Sequence, residues 1–466
     1  MVQIRRSVLI LGLLAGALVG ARSSSAQYTG NFQTNIISGV ISNWTGDYLI
    51  GSNTFADALL VQNEGALSNG NGYVGYEIGD DNNMALISDS NSIWIVAGVL
   101  VIGNSSSGNQ LAVTNGANVV CGSLSIGNNV ASATNMVAVT GTNSLLNVNG
   151  DMVVGNAGQM NRLTIGDTAG VVCSNGTIGA AGSCNAVIVT DSDTSWTLSG
   201  NLTIGPGGAG NQLVITNDAT VFVMNGTHTA TLDVQNGTLI LNRGAARVDN
   251  FTATNGAQSA VSFNSGLFVS GATQISNTQP MVIGDGVLPA TYLLNGGIHA
   301  FNDGLYVLSN AAVTGCGTIN DSVTIYTGGV VAASCGGTLT FTGIVTNNGD
   351  IQVVNGTVLE SYGTLVNNGI IDLFDAGPTN FHGAFINNGT VRNGANIVVS
   401  GRDVIIKVAP VVGRPYHLQA TRLLNPANWI DTGPSQTSFG GLLTFTDVGG
   451  ATNQPGRFYR FRISFF

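Results

Sequence analysis

The side chains that carry most enzyme chemistry are scarce in this 466-residue chain. Between residues 27 and 400 the basic residues are Arg162, Arg243, Arg247 and Arg392 alone, set against 21 acidic residues. Abstracting a proton beside a sugar carboxylate needs Arg or Lys above carboxylate-bound Ca²⁺, and glycoside hydrolysis needs two or three convergent carboxylates. None of the four arginines lies in a recognisable acidic cluster. Asp80 and Asp81, in "GDD", read as solvated corner residues. Asp191 and Asp193 are acids of a turn where Ca²⁺ could bind, but no Gly-Gly-x-Gly-x-Asp repeat accompanies them, so they read as exposed turn residues. His228, His299, His382 and His417 lack metal-ligand spacing and read as surface or corner histidines. No catalytic, cofactor or metal site is assigned from sequence.

These residues sit on a repeating frame. An apolar residue followed by Gly recurs at Ile50-Gly51, Ile78-Gly79, Ile102-Gly103, Ile126-Gly127, Val154-Gly155, Ile178-Gly179 and Ile204-Gly205, in steps of 28, 24, 24, 28, 24 and 26 residues. An Asn or Ala then opens a second alternating run, as in "NQLAVTNGA" (109–117), "NMVAVTGTN" (135–143), "NAVIVTDSD" (185–193) and "NQLVITNDA" (211–219). A third short run leads to the next glycine. Three short strands per unit of about 25 residues, separated by Gly, Asn, Ser and Asp, predict one coil of a β-solenoid. One coil cannot bury its inward Ile, Val and Leu; stacking coils about 4.8 Å apart makes the apolar column continuous. Gly and Asn fall at corners that demand positive φ.

A double period is superimposed. "VVCGS" (119–123) and "VVCSN" (171–175) lie 52 residues apart, and "SDSNSIW" (88–94) reappears as "TDSDTSW" (190–196), so coils alternate in type. Trp94 and Trp196 read as corner or outer-face packing residues. From Gly315 the rhythm tightens: "TNNGDI", "VNNGII" and "INNGTV" place glycines at 349, 369 and 389, in steps of 20, where Asn above Asn predicts an amide ladder. Residues 227–314 keep the alternation with looser spacing. About fourteen coils over residues 45–400 would make a rod of roughly 70 Å. Of the five cysteines, Cys121 and Cys173 fall two coils apart, beyond disulfide reach, and read as inert inward residues. Cys316 and Cys335, 19 residues apart in similar settings, would bridge neighbouring coils.

Composition bounds the rest. Charged residues make up 8% of the chain, Gly is abundant and mean hydropathy is positive, which excludes disorder and favours an all-β chain. Arg5 and Arg6, an apolar run from Val8 to Val19 and Ser24-Ser25-Ala26 predict a secretory signal peptide over residues 1–26. No later stretch reaches a membrane span. Residues 27–400 carry a net charge of −17 and residues 401–466 carry +4, which marks a domain boundary near Gly401. The acidic body argues against nucleic acid as a partner.

The passage "GCGTINDSVTIYTGGVVAASCGGTLTFTGIVTNNG" (315–349) resembles the passenger repeats of bacterial autotransporter-type adhesins. That resemblance extends as a pattern over roughly residues 45–400 and implies a right-handed parallel β-helix exported to the cell surface. The segment after Gly401 is too short for that family's translocating barrel. "YHLQATRLLNPANWIDTGPSQTSFGGLLTFTDVGGATNQPGRFYRFRIS" (416–464) is similar to a short C-terminal module of secreted planctomycete and verrucomicrobial proteins. Leu418, Trp429, Leu443, Phe445, Phe458 and Tyr459 read as its core, with a turn at "TDVGG".

The expected architecture is therefore all-β: a signal peptide (1–26), an N-terminal cap or linker (27–48), a parallel β-helix (49–400) and a small antiparallel β-sandwich-like module (401–466). The expected role is a secreted or cell-surface structural protein, adhesin-like, with extracellular polysaccharide or cell-surface components as partners and no cofactor. The rival is a polysaccharide-active β-helix, a lyase or glycoside hydrolase, or a carbohydrate-binding protein.

Overall fold

The computed structural model describes residues 28–354, 356–373, 376–393, 395–408, 414–423, 427–437, 443–452 and 457–463; the expected signal peptide lies outside them. Strand accounts for 57% of the described residues, and about 15 turns of parallel β-solenoid are followed by small antiparallel sheets. Each turn lays one strand on each of three faces. The first face stacks Thr34–Ser38, Ala58–Gln62, Met84–Ser88 and Gln110–Thr114 in parallel register. The second stacks Ile41–Asn43, Ala66–Asn69 and the start of Ile93–Ile102, and the third begins with Tyr48–Ile50 over Gly72–Val74. Alternate side chains point inward, so Leu59, Val61, Ala85, Ile87, Leu111 and Val113 are buried while their neighbours face out.

The parallel pairing begins at Thr34, within the expected cap or linker: Thr34–Ser38 and Ile41–Asn43 already stack on the strands of the following coil. Tyr28 lies over the end of the core, its hydroxyl donating to the Ala58 carbonyl. At the other end the last parallel strand is Thr390–Asn393; Ala395–Ser400 already belongs to an antiparallel sheet.

The corner between the third and first faces explains the recurring Ile-Gly phrase. Asn83, Asn109, Asn135, Asn161, Asn185 and Asn211 stack there with side chains almost wholly buried. Each Oδ1 from Asn109 onward accepts the backbone N–H of the asparagine one coil earlier, at 2.9–3.0 Å, and its side-chain N–H, at 3.0–3.1 Å. The glycine of the preceding turn must lack a Cβ, because that atom would fall 2.0–2.3 Å from the ladder amide at Gly51, Gly75, Gly103, Gly127, Gly155 and Gly179. The stacked residue of the second coil is thus Val74-Gly75. The Ile78-Gly79 of the sequence reading is off the column: Ile78 is exposed and a Cβ on Gly79 would meet nothing. The glycine steps become 24, 28, 24, 28, 24 and 26 residues.

That alternation has a cause at the corner between the first and second faces. In one turn type the first and third residues adopt positive φ, as in Asp89 and Asn91, or Asp191 and Asp193; in the other, two adjacent residues do, as in Asn115 and Gly116, or Asp167 and Thr168. The first type supplies a Ser or Thr hydroxyl that accepts a backbone N–H of the second: Ser144 Oγ from Gly116, Thr194 Oγ1 from Thr168. Alternate coils are therefore complementary.

Trp94 and Trp196 point inward and are fully buried, against the corner or outer-face reading. Their volume is accommodated by Gly72 and Gly176, where a Cβ would lie 3.0 and 3.1 Å from the indole rings. In the loosely spaced middle, strands run on through the corners, as in Gly237–Ala253 and Ser259–Ile275, around an aromatic core of Phe251, Phe263, Phe268, Tyr292 and Phe301. Beyond it the expected short-coil ladder is present: Asn347 Nδ2 donates to Asn367 Oδ1 and Asn367 Nδ2 to Asn387 Oδ1 inside, while Asn368 and Asn388 each donate to the amide one coil earlier outside.

The C-terminal module pairs a three-stranded antiparallel sheet (Ala395–Ser400, Asp403–Val408, Leu443–Asp447) with a four-stranded one centred on Pro415–Thr421. Its core is Val404, Ile406, Val408, Tyr416, Leu418, Leu443 and Phe445, with Tyr459 and Phe461 packed against it. Trp429 and Phe458, expected in that core, are not part of it; Phe458 is exposed and Trp429 lies under an arginine.

The ladder yields a direct expectation. Asn161→Ala leaves the buried Asn135 backbone N–H without its acceptor, at a cost of about 1–3 kcal/mol, and takes one partner from each of the Asn135 and Asn185 side-chain amides. Asn156→Ala, on an exposed amide, should change stability by less than about 0.5 kcal/mol. Denaturant titration of both variants against the parent measures the difference.

Candidate functional site

Among the described residues no group of three or more His, Cys, Asp or Glu side chains is arranged to hold a metal ion. The sequence-selected residues are dispersed, and most are engaged in joining coils. Asp80 is buried, contrary to the solvated reading, and its Oδ2 accepts the Glu77 N–H at 2.7 Å. Asp81, half-buried, accepts the Ser107 N–H one coil on. Asp191 accepts the Asp167 N–H from the coil before, while Asp193 is exposed on the same turn. Arg243 bridges exposed Asp218 at 3.2 Å, and Arg162 folds onto Thr164 of its own strand.

The histidines have four settings, and His417 lies 3.7 Å from Asp431 in the C-terminal module. His299 is fully buried and not at the surface. Its Nε2 donates to the Gly296 carbonyl at 2.7 Å, and its Nδ1 meets the Thr273 hydroxyl at 3.0 Å, which in turn bonds the buried Tyr292 hydroxyl. Burial holds the imidazole below its usual value, partly offset by the bond to Gly296, so the ring is the neutral Nε2–H tautomer. His228 takes positive φ on an exposed loop, with Nδ1 3.1 Å from the buried Asp249 carboxylate. The other Asp249 oxygen accepts the N–H groups of Asn225 and Ala230, which closes the loop.

His382 forms the densest lateral cluster. Glu360 accepts from Asn380 Nδ2 at 2.7 Å and contacts His382 Nε2 at 2.8 Å, and the His382 ring stacks on Tyr362 with centroids 4.3 Å apart. Burial alone would raise the Glu360 carboxyl, but bonds from Asn380 and His382, the His382 charge and Tyr362 together hold it below its ordinary value. The register explains the grouping: Glu360 lies beside Asn380 on adjacent strands, and Tyr362 and His382 each follow by two residues. The 20-residue step between Glu360 and Asn380 was visible in sequence, but the face on which they point was not.

Cys316 and Cys335 form a disulfide with Cα atoms 5.9 Å apart. Cys121 and Cys173 are buried free thiols, each pushed up to about 12, chiefly by burial. Cys184 is free and exposed.

One buried acid departs from the pattern. Asp57 occupies the first position of the asparagine column, where its backbone N–H bonds Asn83 Oδ1 and its Oδ1 accepts the Gln33 N–H. Its Oδ2 has no partner, nor has the buried Thr54 Oγ1 three residues before it. Two coils on, the same two places are taken by Ser106 and Asn109, whose Nδ2 donates to the serine hydroxyl at 2.9 Å.

Neither a family model nor a curated protein matches this chain. What the geometry defines is a class of protein, a parallel β-solenoid with a small antiparallel module at its C-terminal end.

Two expectations follow from these sites. Asp57→Asn restores the missing donor beside Thr54 and should raise stability by about 1–2 kcal/mol in denaturant titration; a loss would contradict the assignment of the orphan pair. Because the folded Glu360 carboxyl is held low, its stabilisation is fully present above the ordinary value of 4.5 and is lost as pH falls through the lower folded value. The stability gap between the parent and Glu360→Gln should therefore narrow below about pH 4.5 and stay constant from pH 5 to 6.

Proposed function

We propose that this chain is an exported, non-catalytic scaffold that displays rigid lateral faces at a cell surface, in the manner of an adhesin. The observation that carries the reading is the use of its carboxylates. Asp57, Asp80, Asp81, Asp89, Asp191 and Asp249 each accept backbone N–H groups, most of them from a neighbouring coil or loop. Carboxylates tied to backbone donors hold a shape and are poorly placed to exchange protons with a substrate. A solenoid so built offers long, flat surfaces whose composition can vary coil by coil, which suits multivalent contact.

The rival polysaccharide-active reading draws on Glu360, Asn380, Tyr362 and His382, which bring a carboxylate, an amide and an exposed aromatic pair together on one lateral face. Incubating the purified chain with pectic, alginate and neutral glucan polymers tests the two. The scaffold reading expects no new reducing ends and no unsaturated products over days; product formation that disappears in Glu360→Gln would establish the enzyme instead.

A further inference from the structure

The C-terminal module reverses the charge of the body, and its structure shows where that charge is placed. In the four-stranded sheet, Pro415–Thr421 pairs with Phe458–Ile463 so that His417 lies opposite Arg462 and Gln419 opposite Arg460. Side chains alternate across a sheet. Tyr416, Leu418, Tyr459 and Phe461 turn to the core, which leaves His417, Gln419, Arg460 and Arg462 together on the outer face. Asp431 joins them from the neighbouring strand, opposite Gln419.

We propose that this outer face is a docking surface for a carboxylated polysaccharide. The guanidinium groups are exposed yet held in place. Arg460 lies 4.4 Å over the Trp429 ring and donates from Nε to Gln419 Oε1 at 2.8 Å, two neutral partners that leave its charge uncompensated. Arg462 contacts Asp431 at 3.3 Å, and the same carboxylate accepts from Gln419 Nε2 and lies 3.7 Å from His417. Among the described residues the carboxylate of this face thus serves Arg462 and His417, and none reaches Arg460. The module's other two acids are engaged elsewhere: Asp403 accepts the Gly449 N–H, and Asp447 pairs with Arg457 and the Tyr459 hydroxyl.

The complementary partner is anionic. Planar guanidinium groups grip carboxylates bidentately, and pinning them beforehand lowers the entropy lost on binding. Arg460 and Arg462 stand two residues apart on one strand, roughly 7 Å, on a flat face that suits charges recurring along a stiff polymer. The body, at −17, repels the same polymer, so contact is confined to the module and the rod projects away from the surface. This inference names the attachment partner of the scaffold proposed above and rests on that reading.

The test is calorimetric titration of the purified full chain with polygalacturonate oligomers, with neutral dextran oligomers and with phosphatidylglycerol vesicles as comparisons. Binding to polygalacturonate that weakens as salt rises, with none to dextran or vesicles, is expected. Arg460→Gln with Arg462→Gln should weaken it by roughly ten-fold or more. Asp431→Asn, which removes the shared carboxylate while keeping an acceptor for Gln419, should tighten it several-fold and stands as the test if the double variant does not fold. The proposal is overturned if polygalacturonate does not bind, if dextran or vesicles bind as tightly, or if Asp431→Asn leaves affinity unchanged or weaker. Cleavage of the oligomers during titration would overturn the scaffold reading while leaving the docking face in place; absence of binding without cleavage would do the reverse.

Discussion

The structure depends on one constraint: an amide stacked on an amide requires that the residue across the corner have no Cβ. Buried asparagines from Asn83 to Asn211 bond one another by stacking directly in a column, with a carbonyl or hydroxyl of the adjoining turns as the further acceptor, and the glycines from Gly51 to Gly179 clear the space they occupy. A buried amide without partners is costly, so each rung holds the next in register. A slip of one residue in any coil would place apolar side chains outside and break the column at once. Inward Ile, Val and Leu supply most of the burial but are interchangeable; the asparagines decide which coil lies on which.

The second corner adds a rule of alternation. Turns with a Ser or Thr hydroxyl lie against turns with a free backbone N–H, which makes neighbouring coils unlike and coils two apart alike. Carboxylates such as Asp89 and Asp191 act in the same way, each accepting an N–H from the coil before. The acidity of the body is thus largely structural in origin. It also has a consequence at longer range, since a strongly negative rod that ends in a positive module is electrostatically polar along its length.

Much of this was legible in the residues. The period of about 25, its contraction to 20 beyond Gly315, the alternation of coil types and the ladder in "NNG" all follow from spacing alone. What failed did so for physical reasons. Val74-Gly75 and Ile78-Gly79 are equivalent as text, and only the clearance over Asn109 separates them. Trp94 and Trp196 look too large for a narrow core until Gly72 and Gly176 are recognised as the space that receives them. His299 and Asp80 carry no pattern that marks them as buried, because their partners are a carbonyl at Gly296 and an N–H at Glu77. The cluster at Glu360 needed the outward direction of two adjacent strands, which a 20-residue step does not state.

The central claim is that a continuous column of buried side-chain amides holds the coils together. Hydrogen exchange of asparagine side-chain NH₂ groups, followed by NMR on a sample labelled at asparagine alone, measures it most directly. The account predicts that the amides of Asn83, Asn109, Asn135, Asn161, Asn185 and Asn211 persist in D₂O as long as the backbone amides of the core strands, while exposed amides such as Asn156 exchange within the dead time. Exchange of all asparagine side chains at one fast rate would contradict it.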